Sequence, residues 1–211
     1  MVLVAPSLLA ADFGHLADEV ANVEKNGADW LHLDIMDGHF VPNLSFGANM
    51  IKQLRPQSRL FFDAHLMVEN PSKYIPLYAE LNCEYITFHV ESSEDIIKNL
   101  ELIKDYSIKC GIAISPDTKV SKLIPYLPYL DLILVMSVVP GRGGQAFIEE
   151  TNNRIKEIRE LINSYKLNIA INVDGGINDK TKDKCLDADM LTAGSYIVGS
   201  ENFQEKISSL R

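Results

Sequence analysis

The chain lacks any run of about 18 to 20 uninterrupted apolar residues, so nothing in it reads as a membrane-crossing helix. Its opening, Met1-Val2-Leu3-Val4-Ala5-Pro6, lacks the basic start of a secretory signal, and a cytoplasmic location is expected. Cysteine is scarce. Cys83, Cys110 and Cys185 are odd in number, far apart and without CxxC spacing, which argues against a disulfide framework and against a structural zinc site. Positive charge is also in short supply: the net charge of -9 opposes nonspecific binding to nucleic acid or to an anionic membrane. An anionic substrate would need a local site. Neither GxGxxG nor a P-loop occurs, so neither a dinucleotide nor a nucleoside triphosphate is indicated.

What is present describes an ordinary folded chain. With 211 residues, 46% of them hydrophobic and 23% charged, the length favours a single domain over residues 1–211 with one buried core. Short apolar runs recur at 3–9, 29–35, 60–67, 84–91, 109–115, 131–137, 168–174 and 189–193, and each reads as a strand. Between them lie helix candidates at 15–26, 47–54, 71–80, 94–104, 120–127, 148–163, 179–186 and 201–210. The clearest are 15–26, with Leu16, Val20 and Val23 at helical intervals before Gly27, and 148–163, with Ile155, Ile158 and Ile162 on one face. Strict alternation predicts a parallel sheet, and eight units predict an α/β fold closed into a single (β/α)8 barrel.

Strand parity then gathers the polar residues. Residues two apart share a face, so Trp30, His32 and Asp34 stand opposite Leu31, Leu33 and Ile35, and Asp63, His65 and Met67 opposite Phe62, Ala64 and Leu66. Thr87, His89 and Glu91 share a face of the fourth strand, and Ala170, Asn172 and Asp174 one of the seventh. Such polar strand ends meet at a barrel's C-terminal mouth. For any one of them alone, a satisfied core hydrogen bond is the commoner role. Together, His32, Asp34, His65 and Asp174 offer two imidazoles and two carboxylates to a divalent metal, with Zn, Fe, Mn or Co as candidates, and His89 and Glu91 are placed behind them as orienting support.

Glycine-rich turns follow three late strands: Pro140-Gly141-Arg142-Gly143-Gly144, Asp174-Gly175-Gly176 and Ala193-Gly194-Ser195. A single one is most simply a tight turn. Three at the ends of strands six, seven and eight predict a phosphate site made of backbone N–H groups, with Arg142 adding charge. Met36, Met67 and Met136 fall at strand ends, as core filler or as an apolar lid. No lysine ends a strand, and Lys109 begins one, which disfavours Schiff-base chemistry and a barrel decarboxylase that interleaves lysine with aspartates.

In these residues the chain resembles the ribulose-phosphate 3-epimerase family over nearly its whole length. The resemblance lies in Ala5 to Phe13, the run His32 to Phe46 (HLDIMDGHFVPNLSF), His65 to Val68, Met136-Ser137 with Pro140-Gly141, Gly143 to Gln145, and Val173 to Ile177. It implies that His32, Asp34, His65 and Asp174 bind one catalytic divalent metal, and that Asp34 and Asp174 exchange protons with opposite faces of the substrate. It further implies substrate contacts from Ser7, His65, Asp174, Gly141 to Gly144, Gly175, Gly176, Gly194 and Ser195, with the three methionines capping the intermediate. The implied reaction interconverts ribulose 5-phosphate and xylulose 5-phosphate in the pentose phosphate pathway, in a homo-oligomer whose partner is a small sugar phosphate. Val139 and Arg142 depart from the family's pattern, which has a polar and an aromatic residue there. Related ketose phosphates such as allulose 6-phosphate are alternative substrates, and a noncatalytic sugar-phosphate-binding barrel is the alternative from another class.

Overall fold

A computed structural model describes residues 1–92 and 95–211. Its eight parallel strands are β1 (Leu3–Pro6), β2 (Trp30–Met36), β3 (Phe61–Met67), β4 (Tyr85–His89), β5 (Lys109–Ile114), β6 (Leu132–Met136), β7 (Ala170–Asp174) and β8 (Met190–Ala193). They pair in the order β1-β8-β7-β6-β5-β4-β3-β2. The seam between β1 and β2 is drawn together by a bridge from Ser7 to His32, and by Asp29, whose N–H donates to Val4 O at 3.0 Å and whose carboxylate accepts from Val4 N–H at 2.9 Å. The result is a nearly closed (β/α)8 barrel, as the alternation predicts.

Parity explains the core. Residues of one parity, such as Leu31, Leu33, Phe62, Leu66, Ile86, Phe88, Ile112, Ile133 and Ile171, lie in the shell between sheet and helices. Each large side chain buried there contributes roughly 1.5–3 kcal/mol. Residues of the other parity fill the barrel in layers. Ala5, Trp30, Tyr85, Leu132 and Met190 pack together at the N-terminal end. Above them lie His32, Asp63, Thr87, Asn172 and Thr192, all fully buried. Gly111 keeps the middle open, since a Cβ there would sit 2.4 Å from Thr87 Oγ1.

The helices are α1 (Leu16–Lys25), α2 (Ala48–Leu54), α3 (Pro71–Ala79), α4 (Ile96–Asp105), α5 (Thr151–Ser164), α6 (Ser195–Val198) and α7 (Phe203–Ser209). Of the expected 94–104 helix, residue 94 lies outside the described residues. Two expectations need correction. The segment expected as a helix at 120–127 is a 3-10 stretch, Val120–Tyr129, because Pro125 and Pro128 supply no N–H and crowd the preceding turn. The helix expected at 179–186 shrinks to Lys182–Lys184. There Oδ1 of Asn178 accepts from Lys180 N–H at 2.9 Å and Thr181 N–H at 3.2 Å, a local turn that competes with a helix. β1 and β4 also stop short of their expected ends, so Ser7 and Glu91 lie just past strands.

Candidate active site

Register brings acid and base side by side. Across β2 and β3, His32 is the partner of Asp63 and Asp34 the partner of His65, so two imidazoles and two carboxylates alternate on adjacent strands. Asp174 ends β7 opposite Met136. His65 Nδ1 lies 3.0 Å from Asp34 Oδ1, 3.3 Å from His32 Nε2 and 4.0 Å from Asp174 Oδ2. His32 Nε2 is 3.4 Å from Asp34 Oδ1 and 3.8 Å from Asp174 Oδ2. One ligand atom from each of the four falls within 4.8 Å of every other.

This arrangement fits a divalent cation on its own terms. Zinc ligands at about 2.0–2.2 Å in a tetrahedron stand roughly 3.3–3.6 Å from one another, and the observed separations bracket that value.

Neighbours hold each ligand in place. Ser7 Oγ donates to Asp34 Oδ2 at 2.5 Å, leaving Oδ1 toward the histidines. His32 Nδ1 donates to Asp63 Oδ2 at 2.9 Å. His65 Nε2 meets His89 Nε2 at 2.9 Å, and His89 Nδ1 lies 3.0 Å from Glu91 Oε2. Ser137 Oγ donates to the carbonyls of Asp174 and Gly175, pinning the end of β7.

Burial and charge pull the two proton-transfer candidates apart. Burial alone would raise Asp34, but the adjoining His32 and His65 hold its carboxyl far below the ordinary carboxylate value. Asp174, 13% exposed, is pushed up to about 7 by burial and by the charge of Asp34. His65 is lowered to about 4, chiefly by burial. Burial also acts to lower His32, yet the negative charges of Asp34 and Asp63 outweigh it and raise the ring. A pair of carboxyls with opposed shifts is how one site keeps a base and an acid at the same pH.

Above the cluster opens a cleft of about 610 Å³ of empty space, its mouth included, and Ser7, Asp34 and Asp174 line its floor. Its walls hold Gly141 to Gly144, Gly175, Gly176, Gly194 and Ser195, so the three glycine turns do converge. Gly175 and Gly176 have φ of +117° and +62°, and a Cβ on Gly175 would lie 2.4 Å from Val138 Cγ2. Arg142 is exposed on the rim. Met36, Met67 and Met136 also line the cleft and are nearly buried: the first two pack with Val41, the third with Val138. No lysine is among the lining residues.

Two contributors are placed by the sequence but given no role by it. Asp63 has the parity of His65 and sits two residues before it, and that signal was available. Gln145 was seen only as part of a motif; its Nε2 donates to Val139 O at 2.7 Å and Arg142 O at 2.8 Å, clamping the loop after β6.

A barrel that gathers a buried acid and imidazole cluster beneath a glycine-walled anion cleft has the plan of an enzyme acting on a small phosphorylated substrate. Residues 3–198 match the ribulose-phosphate 3 epimerase family. The chain is 42% identical to the ribulose-phosphate 3-epimerase of Mycobacterium bovis, over 99% of this chain and 91% of that one. It is 39% identical to the enzyme of the same name from Bacillus subtilis, over 100% and 99%. The chain therefore belongs to the ribulose-phosphate 3-epimerase family. Among solved structures, a 3-keto-L-gulonate-6-phosphate decarboxylase from Vibrio cholerae superposes with a TM-score of 0.73 at 12% identity, over 100% of this chain and 95% of that one. A phosphoribosyl anthranilate isomerase from Thermus thermophilus does so with 0.71 at 13%, over 99% and 96%. At such identities these show the barrel alone. No helix among the described residues is long and apolar enough to cross a membrane.

Proposed function

We propose that residues 1–211 act as one catalytic domain that epimerises D-ribulose 5-phosphate to D-xylulose 5-phosphate at C3 by two-base proton transfer. The observation that carries this reading is the placement of two carboxylates, Asp34 from β2 and Asp174 from β7, on the floor of one cleft and within one buried cluster with His32 and His65. Asp34 takes the C3 proton from one face, giving an enediolate, and Asp174 delivers a proton to the other face; for the reverse reaction the roles exchange. The two sit on β2 and β7, with β1 and β8 between them, so they approach a flat intermediate from different sides. General acid and base catalysis of this kind contributes about 10²–10⁴-fold.

His32, Asp34, His65 and Asp174 hold a divalent cation, and their mixed nitrogen and oxygen set suits Zn, Fe, Mn or Co. Bound there, the cation supplies Lewis-acid stabilisation for the negative charge that grows on the substrate's ketone oxygen. Ser7 orients Asp34 and touches the sugar. Gly141, Gly143, Gly144, Gly175, Gly176, Gly194 and Ser195 offer backbone N–H groups to the phosphate, Arg142 adds charge at the rim, and Met36, Met67 and Met136 exclude water over the reacting carbons. A cytoplasmic location and self-association belong to the same proposal.

The test is turnover in heavy water. Product gains solvent deuterium at C3 from the first turnovers, while unreacted substrate stays nearly unlabelled. Asp174→Asn abolishes inversion, with metal content measured in the same sample because Asp174 is also a ligand. Unlabelled product from the wild type overturns two-base exchange with solvent, and undiminished inversion in the variant removes Asp174 from it. Allulose 6-phosphate run beside ribulose 5-phosphate settles the substrate by kcat/KM.

A further inference from the structure

An imidazole nitrogen that carries a proton cannot ligate a cation, so each ligating histidine must keep its proton on the far side of the ring. His32 does so directly. Its Nδ1 lies 2.9 Å from Asp63 Oδ2, and a carboxylate only accepts, so the proton stays on Nδ1 and the lone pair of Nε2 faces the cluster.

His65 has no such simple arrangement. Its Nε2 meets Nε2 of His89 at 2.9 Å, a contact between two like atoms that is a hydrogen bond only when one carries a proton and the other does not. In the cation-free protein Asp34 Oδ1, 3.0 Å from His65 Nδ1, favours a proton there, but a cation on Nδ1 closes that option. The proton must then sit on Nε2, and it is held there from one step further out, where Glu91 Oε2 lies 3.0 Å from His89 Nδ1 and Glu91 Oε1 accepts from Ser115 N–H at 2.9 Å. Both carboxylate oxygens are acceptors, so His89 Nδ1 must carry the proton. Ser115 Oγ, at a longer 3.3 Å from the same nitrogen, is free to accept a share of it. With its proton on Nδ1, His89 presents a lone pair at Nε2, His65 donates Nε2–H to it, and the lone pair of His65 falls on Nδ1, among Asp34, His32 and Asp174.

We propose that Glu91, acting through His89, dictates which nitrogen of His65 is available to a cation. Both are positioning residues, and the inference rests on the metal-binding reading above. Packing supports the chain: His89 is 1% exposed, its ring lies 4.8 Å from that of Phe40 and 5.1 Å from that of His65, so neither a ring flip nor a water molecule easily replaces the contact. The two arms differ in kind. His32 ends on the fully buried Asp63, whereas the His65 arm runs to Glu91 at the mouth, 21% exposed.

The substitution Glu91→Gln tests the chain sharply. An amide has one acceptor oxygen where His89, the Ser115 N–H and the Thr118 hydroxyl all donate to the carboxylate, and its NH2 can donate to His89 Nδ1, which reverses every bond back to His65 and puts the wrong proton on His65 Nδ1. With zinc as the probe, chelator competition should show the dissociation constant rising about 10–100-fold, not binding lost altogether, because the His32 arm is intact. Circular dichroism and melting of the variant report whether it is folded. Long-range 1H–15N spectra of the zinc-loaded wild type need no variant, and should show His65 protonated at Nε2 and His89 at Nδ1. The opposite tautomers, or zinc affinity in folded Glu91→Gln within two-fold of the wild type, overturn the proposal. Failure of the wild type to bind zinc at all is a different outcome: it overturns the metal reading and this inference with it.

Discussion

Replacing Asp174 with Asn should make the metal-free protein more stable above neutral pH, although it destroys a proposed ligand and proton carrier. Burial and the nearby Asp34 raise Asp174 from 3.8 to about 7. Between those values the folded protein binds a proton that the unfolded chain has released, so stability falls as pH rises through that window and is level above it. Three units at about 1.4 kcal/mol each give an upper bound of about 4 kcal/mol. Asp34 works in the other direction and in another window: its lowered value stabilises the fold above 3.8, and that contribution is lost as pH falls below it. The amide that replaces the Asp174 carboxyl carries no charge at any pH. In EDTA the variant should therefore melt close to the wild type at pH 4 and above it at pH 8, by roughly 2–4 °C for each kcal/mol recovered. Added divalent metal should close the gap, since only the wild type keeps all four ligands and a metal at 1,000 times its dissociation constant contributes about 4.1 kcal/mol. Thermal melts at the two pH values, with and without metal, read this out. Equal or lower melting of metal-free Asp174→Asn at pH 8 would refute the claim that the site is held together against its own charge.

Arg142→Ala should raise KM for the sugar phosphate at low salt by up to about five-fold, the equivalent of an exposed charge pair worth at most about 1 kcal/mol, and leave kcat nearly unchanged; an unchanged KM makes Arg142 a surface residue only. Gly175→Ala adds a Cβ 2.4 Å from Val138 Cγ2 at a φ of +117°. Strain and overpacking should cost about 1–3 kcal/mol in a denaturant melt and weaken inorganic phosphate as a competitive inhibitor, and an unperturbed melt would refute the close approach.

The barrel was legible in the sequence because its signal is periodic. Eight apolar runs with two-residue parity forced one set of side chains outward and the other inward, and the structure keeps that division at every strand. His32, Asp34, His65 and Asp174 were legible for the same reason, as each sits at an inward position, the last three toward their strands' C-terminal ends and His32 one inward step below Asp34. What the sequence hid depends on register between strands. Nothing local says that His32 lies opposite Asp63 and Asp34 opposite His65, and from that one alignment follow the tautomer of His32, the depressed carboxyl of Asp34 and the closeness of the two rings. Pro125 overrides the helical periodicity of 120–127, and at Asn178 a side chain makes the turn that a helix would have made. Chemistry-bearing types at strand ends thus reveal that a site exists and which atoms it contains. Register then decides what those atoms are: it turns Asp63, an ordinary inward carboxylate by sequence, into the group that leaves His32 Nε2 bare, and it leaves Asp34 and Asp174 close enough that ionising one holds a proton on the other.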